Sequence, residues 1–177
     1  MPIEVIQAPS TLIEVLGCWN PAYGSFYDTT TQLMGSTATE KPMRLNSTDF
    51  VKGMNLINGD TIRLDNAGKY SIQFSVQFQK LTGGTAQADI WLRKNGVDVP
   101  DTNGSVIITG GSGTKSRKVI SWNWFIDAAA ADEYEIVWWS DYTDIALLAI
   151  PAVTGAEPPP NRPTTPSVIV TVTQVGI

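Results

Sequence analysis

The run Tyr70-Ser71-Ile72-Gln73-Phe74-Ser75-Val76-Gln77-Phe78-Gln79 alternates without a break between apolar residues and Ser or Gln. Side chains on a β-strand repeat every two residues, so this segment has one face for a core and one for water. A second kind of segment, Tyr134-Glu135-Ile136-Val137-Trp138-Trp139, begins by alternating and then turns apolar on both faces. The contrast predicts two sheets. One faces solvent, and the other has apolar surface left over, which points to assembly.

The rest of the chain from Gly24 onward also reads as strand and turn. Short strands are expected at 25–27, 43–45 and 61–64, and longer ones at 69–80 and 86–94. The second of these runs into Asn95-Gly96, a strong hairpin signal. Further strands are expected near 105–109 and over 117–126, 133–139, 145–150 and 167–175. Four alanines at 128–131 are too short to hold a helix alone. Glu157-Pro158-Pro159-Pro160-Asn161-Arg162-Pro163 cannot join a ladder and reads as an extended surface loop. About nine or ten strands separated by turn signals mean an all-β sandwich or barrel.

At 177 residues the chain suits one domain, large enough to bury about 70% of its unfolded surface. Charged residues make up 16% of it, low for a soluble domain and suited to an assembly subunit. The net charge is −5, which offers no basic footprint for nucleic acid. A single cysteine, Cys18, rules out an intrachain disulfide, and it reads as a small buried hydrophobe. The chain has no histidine, which excludes a Ser-His-Asp triad, a Cys-His pair and every His-ligated metal site. Met1-Pro2-Ile3-Glu4-Val5-Ile6 does not read as a signal peptide. No stretch approaches the ~20 apolar residues of a membrane span. The expectation is a protein made and folded in a cytoplasm, with no membrane partner.

Residues 1–22 differ from the rest. Ile3, Val5, Ile6, Leu12, Ile13, Val15, Leu16 and Trp19 are apolar, and Pro2, Pro9 and Pro21 interrupt them. This segment reads as an arm, helical or extended, packed on its own domain or docked on a neighbour.

Sorting strand residues by face adds detail. Segments 69–80 and 117–126 look like neighbours in the solvent-facing sheet, with Phe125 the exception on its polar side. If 86–94, 133–139 and 167–175 share the other sheet, then Trp91, Val137, Trp139 and Ile169 face away from the core. An exposed patch of that size is unusual for a monomer. Cover from the arm or a long loop of the same chain is the alternative.

Several pieces resemble a known family. Gly68-Lys69-Tyr70-Ser71-Ile72-Gln73-Phe74 is similar to the Gly-x-Tyr-x-aliphatic-x-Phe strand of the tumour necrosis factor/complement globular-head superfamily. The version found in tailed-bacteriophage structural proteins adds three further matches, in the same order. They are Tyr23-Gly24-Ser25-Phe26-Tyr27-Asp28 with Gln32; residues 90–100, containing Lys94-Asn95-Gly96; and residues 166–175. The resemblance covers about 22–177. The usual Gly-Asp turn before the 133–139 strand is replaced by Ala131-Asp132.

The resemblance implies a two-sheet, TNF-like jelly roll of about ten strands over residues 23–177, preceded by an anchoring arm over 1–22. It implies a homotrimer whose inner sheet lines a threefold axis, with Trp91, Val137, Trp139, Tyr142 and Ile169 as interface candidates. The arm candidates are Ile3, Val5, Ile6, Leu12, Ile13, Leu16 and Trp19. A closed ring of three requires a heterologous interface.

Catalytic and metal chemistry is set aside. Asp98 with Asp101, and Asp141 with Asp144, could offer oxygens to calcium, but such loop pairs are usually solvated turns. Nothing in the sequence positions two carboxylates as a glycosidase needs. Gly110-Gly111-Ser112-Gly113-Thr114-Lys115-Ser116 has the wrong spacing for a phosphate loop and no following helix.

The expectation is a non-enzymatic virion structural protein without cofactor or metal. The jelly roll takes nearly the whole sequence and leaves no shaft, which favours a trimeric capsid decoration or cement protein. Its partners would be copies of itself and the major capsid protein or another virion protein. A fibre-tip module that binds a host surface glycan through 110–118 and 141–144 is the alternative.

Overall fold

The computed structural model describes residues 20–110, 116–155 and 161–177. The arm candidates Ile3, Val5, Ile6, Leu12, Ile13, Leu16 and Trp19, and also Cys18, lie outside the described residues. Strands, turns and bends make up the described chain, and no helix occurs in it. In chain order the strands are β1 (Tyr23–Asp28), β2 (Gln32–Leu33), β3 (Lys41–Pro42), β4 (Ser47–Lys52), β5 (Met54–Ile57), β6 (Thr61–Leu64) and β7 (Gly68–Lys80). There follow β8 (Gly84–Lys94), β9 (Val97–Asp98), β10 (Gly104–Gly110), β11 (Ser116–Ala128), β12 (Glu133–Ser140), β13 (Ile145–Leu147) and β14 (Val168–Gly176).

They form two antiparallel sheets. In the first sheet β11 and β14 both oppose β7 between residues 69 and 76, so they occupy its two edges. β13 continues β14's edge opposite 78–80 and carries β2 beyond it. β1 and then β4 complete the other side. The second sheet runs β10-β8-β12-β6-β5, with β9 and β3 pairing short stretches of β8 and β12.

The inward residues of both sheets meet in one core. Tyr70, Ile72, Phe74, Val76 and Phe78 of β7 pack with Val168, Val170 and Val172 of β14 on one side. Ala88, Ile90 and Leu92 of β8, with Tyr134, Ile136 and Trp138 of β12, come from the other. This is a β-sandwich, and the period-two pattern produces it directly. Half-buried Trp122 and Trp124 of β11 close the core at one side. Phe74 meets Trp122 edge-on at 4.6 Å and stacks on Trp124 at 5.1 Å. Gly104 permits this closure, because a Cβ there would lie 2.6 Å from the Trp122 ring.

The sequence-based pairing of 69–80 with 117–126 holds over thirteen residue pairs of β7 and β11. The grouping of 167–175 with 86–94 and 133–139 does not. β8 and β12 pair, but β14 lies in the first sheet between β7 and β1. Alternation reports which residues share a face, not which strand lies alongside, so it could not place β14. The 43–45 strand is also corrected: Met43 and Leu45 are buried in irregular chain between β3 and β4. β4 and β5 were missed because 47–57 shows no clean apolar alternation and β4 is mostly exposed.

One turn was legible and another departs from expectation. Asn95 and Gly96 both take positive φ, 51° and 78°, as a tight hairpin turn requires. Ala131 takes φ 68°, so alanine occupies a left-handed position that glycine ordinarily fills. Asp132 secures that turn. Its carboxylate accepts from the Ala129 N–H at 2.7 Å and from Asn95 Nδ2 at 2.8 Å, and it pairs with Lys94 at 2.6 Å.

One buried charge sits at an end of the sandwich. Lys80 at the end of β7 is 1% exposed, and its ammonium reaches both Asp144 oxygens at 2.8 and 2.7 Å. Thr82 also donates to Asp144. Burial pushes the Asp144 carboxyl up, but the Lys80 and Thr82 hydrogen bonds outweigh it and hold the pKa below the usual range.

Candidate functional site

The outward positions of the first sheet form a broad face spanning four long strands. β1 contributes Tyr23, Ser25 and Tyr27, and β14 contributes Ile169, Thr171 and Thr173. β7 adds Ser71, Gln73, Ser75 and Gln77, and β11 adds Val119, Ser121, Asn123 and Phe125. Their register aligns them in rows such as Tyr27–Ile169–Ser75–Ser121. None of these residues is charged, although the chain carries 29 charged side chains (12 basic and 17 acidic). Charges appear only at the margins: Arg117 at one end, the Lys69–Asp127 pair at the other, and Lys52 on β4. Large apolar groups stand open on the face, with Phe125 73% and Val119 65% exposed and Ile169 less so. On β4, Phe50 meets Tyr23 edge-on at 5.9 Å and widens the patch. A solvent-facing sheet ordinarily carries lysine and glutamate on such positions. An uncharged patch with aromatic and aliphatic groups has the composition of a protein interface core.

The outer face of the second sheet is built differently. Arg93, near the end of β8, points outward here and is mostly buried. Its guanidinium bonds Asp98 at 2.8 Å and Glu40 at 2.8 Å, and Glu135 lies 4.0 Å away. Burial works against the Arg93 charge, but the Asp98 and Glu40 hydrogen bonds outweigh it and push its pKa further up. Hydrogen bonding from its own backbone N–H, then from Arg93, lowers the Glu40 pKa. Arg63 and Glu133 oppose each other on the neighbouring strands.

Beside this network lies a shallow cleft of about 430 Å³, lined by Trp91, Trp139, Asp89, Asp98, Asp101 and Asn103, among others. Trp139 and Asp89 are direct cross-strand partners, as are Val137 and Trp91, so all four share this face. The Trp139 indole donates to the Thr37 carbonyl at 2.9 Å. Both Asp89 oxygens accept from Gln87 Nε2 at 3.1 Å. The Trp91 Nε1–H is buried without a hydrogen bond of normal geometry. Its attraction, and then that of Arg93, lowers the Asp98 pKa. A carboxyl held ionised is the opposite of what a glycosidase acid requires.

The structure brings the five interface candidates to three separate places. Trp91, Val137 and Trp139 cluster on the second sheet's outer face, but Val137 is fully buried there by its own chain. Cover from the same chain, the alternative raised by the sequence, applies at that position. Tyr142 lies in the loop after β12, with the Lys80 ammonium 4.7 Å from its ring centroid. Ile169 stands on the first sheet with Phe125 and Val119. These five do not form one surface.

Three of the four acidic loop residues are occupied by protein groups. Asp98 serves Arg93, Asp144 serves Lys80, and Asp141 accepts from the Gln87 N–H at 2.8 Å. Among the described residues no group of three or more Cys, Asp and Glu side chains is arranged to hold a metal ion. Sequence reasoning missed the uncharged face because it counted Ser, Gln and Asn as solvent-facing. The available signal was the absence of any Lys, Arg, Asp or Glu at 71–77 and 119–125.

No family model matches the chain, and no curated protein sequence matches it.

Proposed function

We propose that this chain is a bacteriophage virion structural protein that forms a homotrimer and decorates the capsid surface. The observation that carries the assembly is the uncharged outer face of the first sheet, with Phe125, Val119 and Ile169 exposed on it. At about 25 cal/mol per Å², covering those side chains and their neighbours contributes several kcal/mol toward association, before ordering costs. On this reading the axis residues are Ile169, one of the five sequence candidates, with Phe125 and Val119, while Trp91, Val137, Trp139 and Tyr142 lie off this face.

The strand connections favour a jelly roll. From β6 to β8 and again from β10 to β13 the chain crosses repeatedly between the sheets, so strands adjacent in sequence lie in opposite layers. That path, the two sheets and the ordered sequence resemblance support the TNF-like reading and, through it, the phage setting. The role is structural and non-catalytic. Residues 1–22 would anchor the trimer on the major capsid protein or another virion protein.

Light scattering at micromolar concentration should give three times 19.2 kDa. A 19.2 kDa particle would overturn the assembly. Immunolabelled virions should carry the protein on the head. Label confined to the tail would replace decoration with the fibre-tip reading, for which the open aromatic cleft on the second sheet is the favouring observation. Deleting residues 1–19 should abolish incorporation into virions, and unchanged incorporation would remove the anchoring role.

A further inference from the structure

We infer that the cleft between β8, β12 and the loop after β9 binds a neutral saccharide. The cleft is in the size range of small-ligand sites and opens broadly to solvent, as suits the end of a glycan chain. Two indoles from adjacent strands, Trp91 and Trp139, supply flat apolar surface for the C–H face of a pyranose ring. Around them stand Asp89, Asp98, Asp101 and Asn103. Carboxylates accept from hydroxyl groups, and the Asn103 amide both donates and accepts. Sugar hydroxyls need that mixture.

The polar groups are positioned before any ligand arrives. Gln87 fixes Asp89, and Arg93 Nε fixes Asp98 at 2.8 Å. The loop carrying the other two is pinned to β8. Thr102 Oγ1 accepts from the Leu92 N–H at 3.1 Å and donates to the Val99 carbonyl at 2.7 Å, while the Val99 N–H donates to the Leu92 carbonyl at 2.9 Å. Asp101 takes φ 61°, a left-handed conformation that aspartate and asparagine adopt more readily than other side-chain-bearing residues. Preorganisation of this kind lowers the ordering cost of binding.

Charge selects the class of sugar. Asp89 and Asp101 have no cationic partner among the described residues. The cleft is therefore negative and repels sialylated, sulfated or phosphorylated glycans. A cationic ligand fits less well, because it would approach the Arg93 guanidinium beside Asp98. The cleft lies on the sheet opposite the proposed assembly face, so it stays open in a trimer and does not depend on one.

The test begins on an array of neutral, sialylated and sulfated oligosaccharides. Hits are titrated against the full chain by tryptophan fluorescence, with lysine and arginine tripeptides as competitors. Neutral oligosaccharides of at least one linkage should bind saturably and shift the tryptophan emission, with acidic counterparts at least tenfold weaker. Asp101→Asn and Asn103→Ala should each weaken binding about tenfold or more without changing the oligomeric mass. Asparagine tolerates the left-handed backbone, so the first variant keeps the fold. Absence of neutral-sugar binding at millimolar concentration, binding that survives both substitutions, or competition by the basic peptides would each overturn the inference. The mass measurement is independent, so failure of the trimer and failure of the cleft are told apart.

Discussion

The two outer faces of this sandwich handle the same problem in opposite ways. The second sheet carries Arg63, Asp89, Arg93, Glu133 and Glu135 outward and closes much of its apolar surface with its own chain, leaving Val137 fully buried. The first sheet keeps the middle of its outer face free of charge across four strands and leaves Phe125 and Val119 open. The lesson is that polar and charged are different properties. Serine, glutamine and asparagine satisfy water while the face is free, yet they cost little to desolvate beside a partner, whereas unpaired charges cost much more. The face that looks hydrophilic by alternation is the one better suited to contact with another subunit.

The comparison can be broken most directly by charge. Phe125→Glu or Ser75→Arg on the first sheet should reduce a trimer to monomers in light scattering. Glu133→Lys on the second sheet should leave the mass unchanged. The reverse result would exchange the roles of the two faces.

Asp144→Ala comes next in size. It strands the buried Lys80 charge at the end of β7, and loss of one partner of a buried pair costs roughly 3–5 kcal/mol. Lys80→Met with Asp144→Ala should recover most of that loss in urea denaturation. If the double variant is no better than the single, the pair contributes more than mutual neutralisation.

Arg93→Met should cost about 1–2 kcal/mol, since its partners Glu40 and Asp98 are well exposed and screened. Oligomeric mass should not follow it.

Acid sharpens the same contrast. The Asp98, Asp132, Asp144 and Glu40 carboxyls have lowered pKa values in the fold. Their contribution is complete above the ordinary carboxylate pKa and is lost as pH falls through the lower folded values. Lys94 is shifted up, through its hydrogen bond to Asp132, so its contribution is complete at neutral pH and is lost only in strong alkali. Stability should therefore be level from pH 5 to 9 and drop below about pH 4. The centre of the first-sheet face carries no carboxylate or amine, and its charges stand only at the margins, so the assembled mass should change little across the level range or with added salt. A mass that tracks salt would place charges in the interface after all.

The smallest effect concerns Ala131. Replacing it with glycine relieves a left-handed alanine and should stabilise by up to about 1 kcal/mol, offset in part by the added freedom of the unfolded chain. A loss of stability would mean that the methyl group packs usefully at the turn.

Much of the architecture was legible because alternation is local. Residues 70–79 and 120–126 state their inward and outward faces in the sequence, and Asn95-Gly96 states its turn. β4 and β5 were hidden because an exposed edge strand needs no apolar period. The Trp91–Trp139 cleft was half visible: the sequence marks both indoles as interface candidates and both loop acids, Asp98 and Asp101, as a solvated turn. Asp89 and Asn103 gave no sign of joining them, since the contact runs across strands and through a pinned loop.

By itself the sequence determined an all-β chain, its strand faces, and the absence of histidine chemistry, because each depends on residue identity and short-range period. Only the tertiary structure decided that β14 lies between β7 and β1, that Val137 is buried by its own chain, and that Ile169, Phe125 and Val119 share one face. Those facts depend on which strands become neighbours, and neighbours are chosen by the packing of the whole core.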